Sequence, residues 1–361
     1  MITGTVMEVK QNKNATGEHK ARVYYRLPGK NERLVISGTA QFFTSNQVIN
    51  SGKNGFAIAP FDATAPFCWI EAEQAISYQE TLPEMAALYL HDYTASTQQQ
   101  QSRNEYLASV QQIIGSIRAG EAEKVVLSRQ IHLNLVKSIS LPVLFNVLCT
   151  MYQDAFVYVA EIPQYGVWAG ATPETLLQAE GNDISTMALA GTRRQDATGE
   201  WPAKDIEEHE YVNRHIYETL VTSGCFQVMK SPTHEIQAGH ARHLRTGFCA
   251  SCQAERVAEI AAALHPTPAV CGLPVDSAAA IIKKVEKYNR LLYTGYLGPV
   301  EAGKISLFVN LRCMQLFSNM AVLYAGGGIV AGSNPETEWD ETILKSTTML
   351  AAIEKLMNLA G

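Results

Sequence analysis

The chain has 361 residues, 47% of them apolar and 18% charged, which is material for a substantial core in a soluble globular protein. A net charge of −6 at pH 7 gives no reason to expect nucleic acid or an anionic membrane as partner. No apolar run reaches membrane-spanning length, the opening MITGTVMEVKQNKN lacks a signal-peptide core, and seven scattered cysteines fit reduced thiols, so a cytoplasmic protein is expected.

Short β-prone runs come first, at Arg22–Leu27, Leu34–Ser37 and Gly55–Ala59, with Gly52, Pro60 and Pro66 marking turns. Ser96 to Arg103, with four consecutive glutamines, reads as a linker or as the start of the next helix. Tyr106, Val110, Ile113, Ile114 and Ile117 follow at helical spacing, and Gly120 supplies a stop. The apolar strand Glu123–Arg129 carries Lys124 at its mouth, where pattern alone gives a solvated edge residue. A helix over Leu141–Met151 leads to strands at Phe156–Ile162 and Gly166–Ala169. Glu174 then sits between a proline turn and another apolar strand, and the plain expectation is a carboxylate facing water.

The strand Thr186–Ala190 ends in the small-residue turn Gly191-Thr192, with Arg193 and Arg194 beyond it. A helix opening near Lys204 carries Asp205 and Glu208 three positions apart, hence on one face. His240, His243, Cys249 and Cys252 lack the order and spacing of a zinc finger, and small core thiols are expected instead. Gly272-Leu273-Pro274 opens a helix through Ala278, Ile281 and Val285. Strands follow at Ile305–Asn310 and Leu311–Phe317, where Arg312 interrupts an apolar run. Such a cation either pairs with a structural acid or awaits an anionic ligand.

The most chemically loaded stretch is Tyr324 to Lys345. A strand ends in three glycines, Asn334 and Pro335 start a helix, and Glu338, Glu341 and Lys345 project from one face of it. Gly326, Gly328 and Ala331 spell a loose dinucleotide fingerprint, which fails because Gly332-Ser333-Asn334-Pro335 interrupts where the helix should continue. Two i,i+3 acid pairs on helices far apart in sequence are what a shared divalent cation needs, since like charges gathered without one repel.

Together KVVLSR, TPE, LAGTRR, KDIEEHEYV, HLRT, LHPTPAVCG, YTGYLGPV, LRC and AGGGIVAGSNPETEWDETILK resemble the successive motifs of the chorismate-utilising enzymes, in family order over about residues 100–360. The resemblance implies an α+β fold, a large mainly antiparallel β-sandwich with helices packed outside and the site between the layers. Residues 1–95 are then a β-rich part of the same domain, and 96–361 the chorismate-binding catalytic region. The resemblance implies that Lys124 is the general base of the water-using members, where ammonia-using anthranilate synthases carry glutamine. Glu174 matches the general acid that protonates the departing C4 hydroxyl; Glu208 and Glu341 match direct Mg²⁺ ligands, with Asp205 and Glu338 acting through water. Arg312, Tyr293, Lys345 and the Gly326–Gly328 turn match the groups holding the substrate carboxylates, Gly191 and Thr192 line the ring, and His243 lies beside it. Ala190 stands where aminodeoxychorismate synthases often have a nucleophilic lysine, which disfavours that branch.

The implied activity is that of an isochorismate synthase, Mg²⁺-dependent and without a redox cofactor. YTGYLGP and NLRC look like menaquinone-branch sequences. The alternatives are a siderophore-branch enzyme, a salicylate synthase that also eliminates pyruvate, and a non-catalytic chorismate-binding relative. The expected partner is chorismate alone, with no nucleic acid or membrane, for a monomer or weak dimer. The chemistry agrees: hydroxide leaves poorly and needs a proton donor, and water attacks poorly and needs a base. In a metal-free protein the four acids are expected to splay apart or to show raised pKa values.

Overall fold

A computed structural model describes residues 20–78, 100–137, 139–239 and 241–359. Half of the linker reading, residues 96–99, lies outside these, as do the rest of 79–99, residues 1–19 and His240. Six helices are described: α1 (Arg103–Arg118), α2 (Leu141–Met151), α3 (Ala203–Thr222), α4 (Val257–Leu264), α5 (Val275–Val285) and α6 (Pro335–Leu359). Helix α1 starts at a capping box in which Ser102 and Glu105 satisfy each other's backbone N–H groups, and it buries Tyr106, Val110, Ile113, Ile114 and Ile117. Helix α6 begins as its Asn-Pro start predicts, with Asn334 Oδ1 accepting from the N–H groups of Glu336 and Thr337.

The strands form two antiparallel layers. In the first, Gln74–Tyr78 pairs with Arg33–Phe43, followed in order by Lys20–Arg26, Phe156–Ile162, Gly166–Thr172, Cys313–Leu316, Met320–Ile329, Lys124–Asn134 and Gly272–Leu273. In the second, Ala241–Ser251 is followed by Asp183–Arg194, Thr175–Glu180, Lys304–Val309, Tyr296–Glu301, Gly55–Ala59 and Phe67–Glu71. The end of Arg33–Phe43 closes that layer, so one strand serves both. It crosses at Gly38, where a Cβ would lie 1.9 Å from the Glu71 carbonyl oxygen.

The space between the layers is filled by side chains of both, and the Phe156 and Phe308 rings stack across it at 4.2 Å. Full burial of each such ring is worth about 1.5–3 kcal/mol. Helices α3 and α4 cover the outside of the second layer, while α2 and α6, then α1 and α5, cover the first. The N-terminal strands are woven into both layers, Lys20–Arg26 against Phe156–Ile162 and Gly55–Ala59 against Tyr296–Glu301.

Candidate active site

At two places the chain passes from one layer to the other, and each carries a candidate site residue. Gly166–Thr172 of the first layer gives way through Pro173-Glu174 to Thr175–Glu180 of the second. Lys304–Val309 returns through Asn310, Leu311 and Arg312 to Cys313–Leu316 of the first. The two crossings are laced together: Val309 N donates to Glu174 O (3.0 Å), Thr172 Oγ1 to Val309 O (2.6 Å), and Ala171 N to Arg312 O (3.0 Å). Arg312 therefore lies in a break between strands rather than within one, at φ +47°, a left-handed conformation costly for a residue with a Cβ. Arg312 there lines a cavity of about 70 Å³ between the layers.

The cavity brings together nine of the fourteen residues singled out from the sequence: Glu174, Gly191, Thr192, Glu208, His243, Tyr293, Arg312, Gly326 and Lys345. Gly191 has φ +69° at a bulge where pairing with Ala241–Ser251 shifts, and a Cβ there would press on Trp201 and Asp205. Val126, Leu189, Val270 and Leu311 add an apolar wall that the sequence reading did not single out, because strand residues of this kind look like ordinary core. Lys124, Asp205, Glu338, Glu341 and Gly328 are not among the residues that line it.

Neither Lys124 nor Glu174 faces water. Lys124 is fully buried, with Nζ 2.8 Å from Glu208 Oε1 in an ion pair that does not reach hydrogen-bond geometry. Glu174 is buried, and among the described residues no side chain hydrogen-bonds its carboxyl. Burial pushes its pKa up to about 8 against the pull of Lys124 and Lys345, so it carries its proton at neutral pH. His243 is the opposite case: burial, then the nearby Arg312, lowers it to about 3, so it is neutral. Its Nδ1 lies 2.7 Å from the Gly191 carbonyl, which can only accept, so Nδ1 carries the hydrogen and Nε2 presents a lone pair to Arg312 at 3.4 Å. Arg312 itself is lowered to about 10, chiefly by burial, a cation short of water and of counter-charge.

The acids gather around the strand backbone at Gly327 and Gly328. A Cβ on Gly327 would lie 3.1 Å from Glu338 Oε2 and 3.6 Å from Glu341 Oε1; one on Gly328 would lie 2.3 Å from Glu208 Oε1. Bare backbone is thus what lets carboxylates from α3 and α6 approach it. Each of the three is held by a lysine: Glu208 by Lys124, Glu341 by Lys345 at 2.6 Å, and Glu338 by Lys204. Burial followed by the Glu208 charge raises Asp205 to about 6, and burial followed by the Glu341 charge raises Glu338 to about 7. Burial alone would raise Glu208 as well, but Lys124, Lys204 and Lys345 outweigh it and hold that carboxyl low. Raised values are therefore seen at the two outer acids, while ion pairing keeps Glu208 charged. The sequence reading missed Lys204, although it is the residue directly before Asp205, at the head of the acidic helix.

As they stand, no three His, Cys, Asp or Glu side chains among the described residues converge closely enough to hold a metal ion. The donor set nevertheless fits a hard cation. It consists of carboxylate oxygens, and Glu338 Oε2 is buried with no hydrogen-bond partner. His243, from the rejected zinc pattern, belongs to the cavity, and all seven cysteines are free.

Residues 31–354 match the family described as chorismate binding enzyme. The chain belongs to that family. It is 30% identical over 312 residues to the vibriobactin-specific isochorismate synthase of Vibrio cholerae, covering 82% of this chain and 78% of that protein. Among solved structures it superimposes on DhbC from Bacillus anthracis with a TM-score of 0.79 and 25% identity, over 92% of this chain and 96% of the other. MenF of Escherichia coli, a menaquinone-specific isochorismate synthase, shares the fold with a TM-score of 0.77 and 21% identity, over 94% and 90%. These chorismate-binding relatives have the same α+β architecture of a large antiparallel sheet with outer helices. Among the described residues no helix is long and apolar enough to cross a membrane.

Proposed function

We propose that this chorismate-binding enzyme is an isochorismate synthase, adding water at C2 of chorismate while the C4 hydroxyl departs. The observation that carries the reading is a protonated buried acid, Glu174, and a buried lysine, Lys124, in one electrostatic neighbourhood beside a cationic cavity. Glu174 hands its proton to the leaving hydroxyl, and Lys124, having first lost to solvent the ammonium proton it carries in its pair with Glu208, accepts one from the attacking water as the neutral amine. One water enters and one leaves, so the overall change is an isomerisation. Arg312, kept short of counter-charge, and Lys345 bind the substrate carboxylates, while His243 steadies the guanidinium through its Nε2 lone pair. Glu208 and Glu341 would hold Mg²⁺ directly, with Asp205 and Glu338 acting through water. The chemistry supplied by the bound ion is compensation of charge on the ring carboxylate as the hydroxyl leaves.

Incubation with chorismate and Mg²⁺, followed by NMR of the product, tests the reading. Isochorismate is expected, and it should stay the product in excess ammonium because Lys124 stands where ammonia-using members carry glutamine. Anthranilate would overturn the choice of nucleophile, and salicylate would add pyruvate elimination. The menaquinone branch is proposed from the YTGYLGP and NLRC motifs, with siderophore supply as the competing destination because the 30%-identical relative serves vibriobactin. Deleting the gene and measuring menaquinone against catechol siderophores decides between them.

A further inference from the structure

Two buried acids, Glu208 and Glu338, and the half-buried Glu341 beside Gly327 and Gly328 each have one lysine, and the lysines are not equivalent. Lys124 and Lys345 have tasks in the proposed reaction, and Lys345 Nζ also donates to the Gly326 carbonyl at 2.8 Å. Lys204 has none: it does not line the substrate cavity. It lines a separate outer cleft with Glu121, Glu123, Glu207 and residues 330–332, and its side chain is 25% exposed. It sits four positions before Glu208 on α3, so one turn of one helix delivers both an acid and a cation to the cluster.

We propose that Lys204 is the built-in counter-ion of this metal site: it occupies Glu338 in the metal-free protein and must be displaced before a divalent cation can bind. The inference rests on the Mg²⁺ reading above. Buried carboxylates this close cannot all stay ionised without a cation, and the ammonium stands in for one. It is an incomplete substitute. A single ammonium leaves Glu338 Oε2 unpartnered, so an acceptor for a hard cation stays available beside it. An arriving cation repels the ammonium, and the outer cleft, whose rim carries Glu121, Glu123 and Glu207, offers it other carboxylates. Apparent metal affinity is lowered by whatever that displacement costs. Lys204 is thus a positioning residue that keeps the acids together in the absence of metal and raises the Mg²⁺ concentration at which the site fills.

The test is calorimetric titration of Mg²⁺ alone into the metal-free, substrate-free full chain, for wild type, Lys204→Met and Lys204→Gln. Melting temperatures are measured with and without saturating Mg²⁺. Both variants should bind Mg²⁺ at least tenfold more tightly, melt lower without metal, and recover most of the difference with it. Lys204→Arg keeps the charge and should stay within a few-fold of wild type. Two variants of different polarity are used so that poor folding of one leaves the other to decide. Unchanged or weaker binding in the variants, or an equal loss of melting temperature with and without Mg²⁺, overturns the proposal and makes Lys204–Glu338 a structural ion pair. If wild type takes up no Mg²⁺ at all, the metal reading falls first and this inference falls with it. If wild type binds and Glu341→Gln does not, but the Lys204 variants behave as wild type, only the counter-ion role is lost.

Discussion

Two clusters of buried charge lie against the Lys124–Asn134 strand, and they are built in opposite ways. In one, Glu286 and Arg290 leave almost nothing unsatisfied. Glu286 Oε1 accepts from the Ser128 N–H and hydroxyl and from Arg290 Nη2, while Oε2 accepts from Arg290 Nε. The guanidinium also donates to the carbonyls of Val270 and Val126. In the other, Glu338 Oε2 has no partner and the Lys124 pair misses hydrogen-bond geometry. Glu338, Lys124 and Glu174 are as buried as Arg290, so at these groups burial does not separate the two clusters. What separates them is completeness: a saturated pair holds the fold, and an unsaturated set keeps valences for substrate and ion.

The largest effect should come from breaking the saturated pair. Arg290→Ala leaves Glu286 buried and unmatched, and a loss of about 3–5 kcal/mol in denaturant unfolding is expected. A loss below about 1 kcal/mol would mean that the pair is no more structural than the acid cluster. Next comes Glu174→Gln, which keeps shape but cannot deliver a proton. A fall in kcat of roughly 10²-fold or more is expected with folding stability and KM little changed. Near-normal turnover would remove Glu174 from the mechanism.

Arg312→Ala should chiefly raise KM, by about tenfold or more, because a carboxylate clamp acts in ground and transition states alike. If KM is unchanged and only stability falls, Arg312 belongs with Arg290. In a pH profile of kcat, Glu174 must be protonated to act. With its pKa near 8, the need for a protonated Glu174 should make activity fall above pH 8. A profile flat to pH 10 would contradict that assignment. The smallest expected effect is on metal-free stability in Glu338→Gln. Burial and the Glu341 charge raise that carboxyl to about 7, so the folded chain disfavours its ionised form at pH 7, and an amide should raise metal-free stability rather than lower it. A loss comparable to that of Arg290→Ala would erase the distinction between the two clusters.

Much of this molecule was legible in its sequence because the relevant physics is local. Apolar spacing over Tyr106–Ile117, Asn334-Pro335 at the head of α6, and the three-residue spacing of Asp205 with Glu208 and of Glu338 with Glu341 each report on a single turn or helix face. The motifs pointed to the family, which residues 31–354 match. Three things only the tertiary structure decided. Lys124 and Glu174 lose their water because the second layer and α3 close over them, which neither an edge-lysine nor a proline-turn pattern encodes. Arg312 is a left-handed residue at a crossing between layers, and its neighbours read as continuous strand. The lysine partners of the acids follow from three-dimensional proximity. Lys204 reaches Glu338 across 134 positions, and charge pairing at that range is set by how α3 and α6 pack against the same glycine backbone.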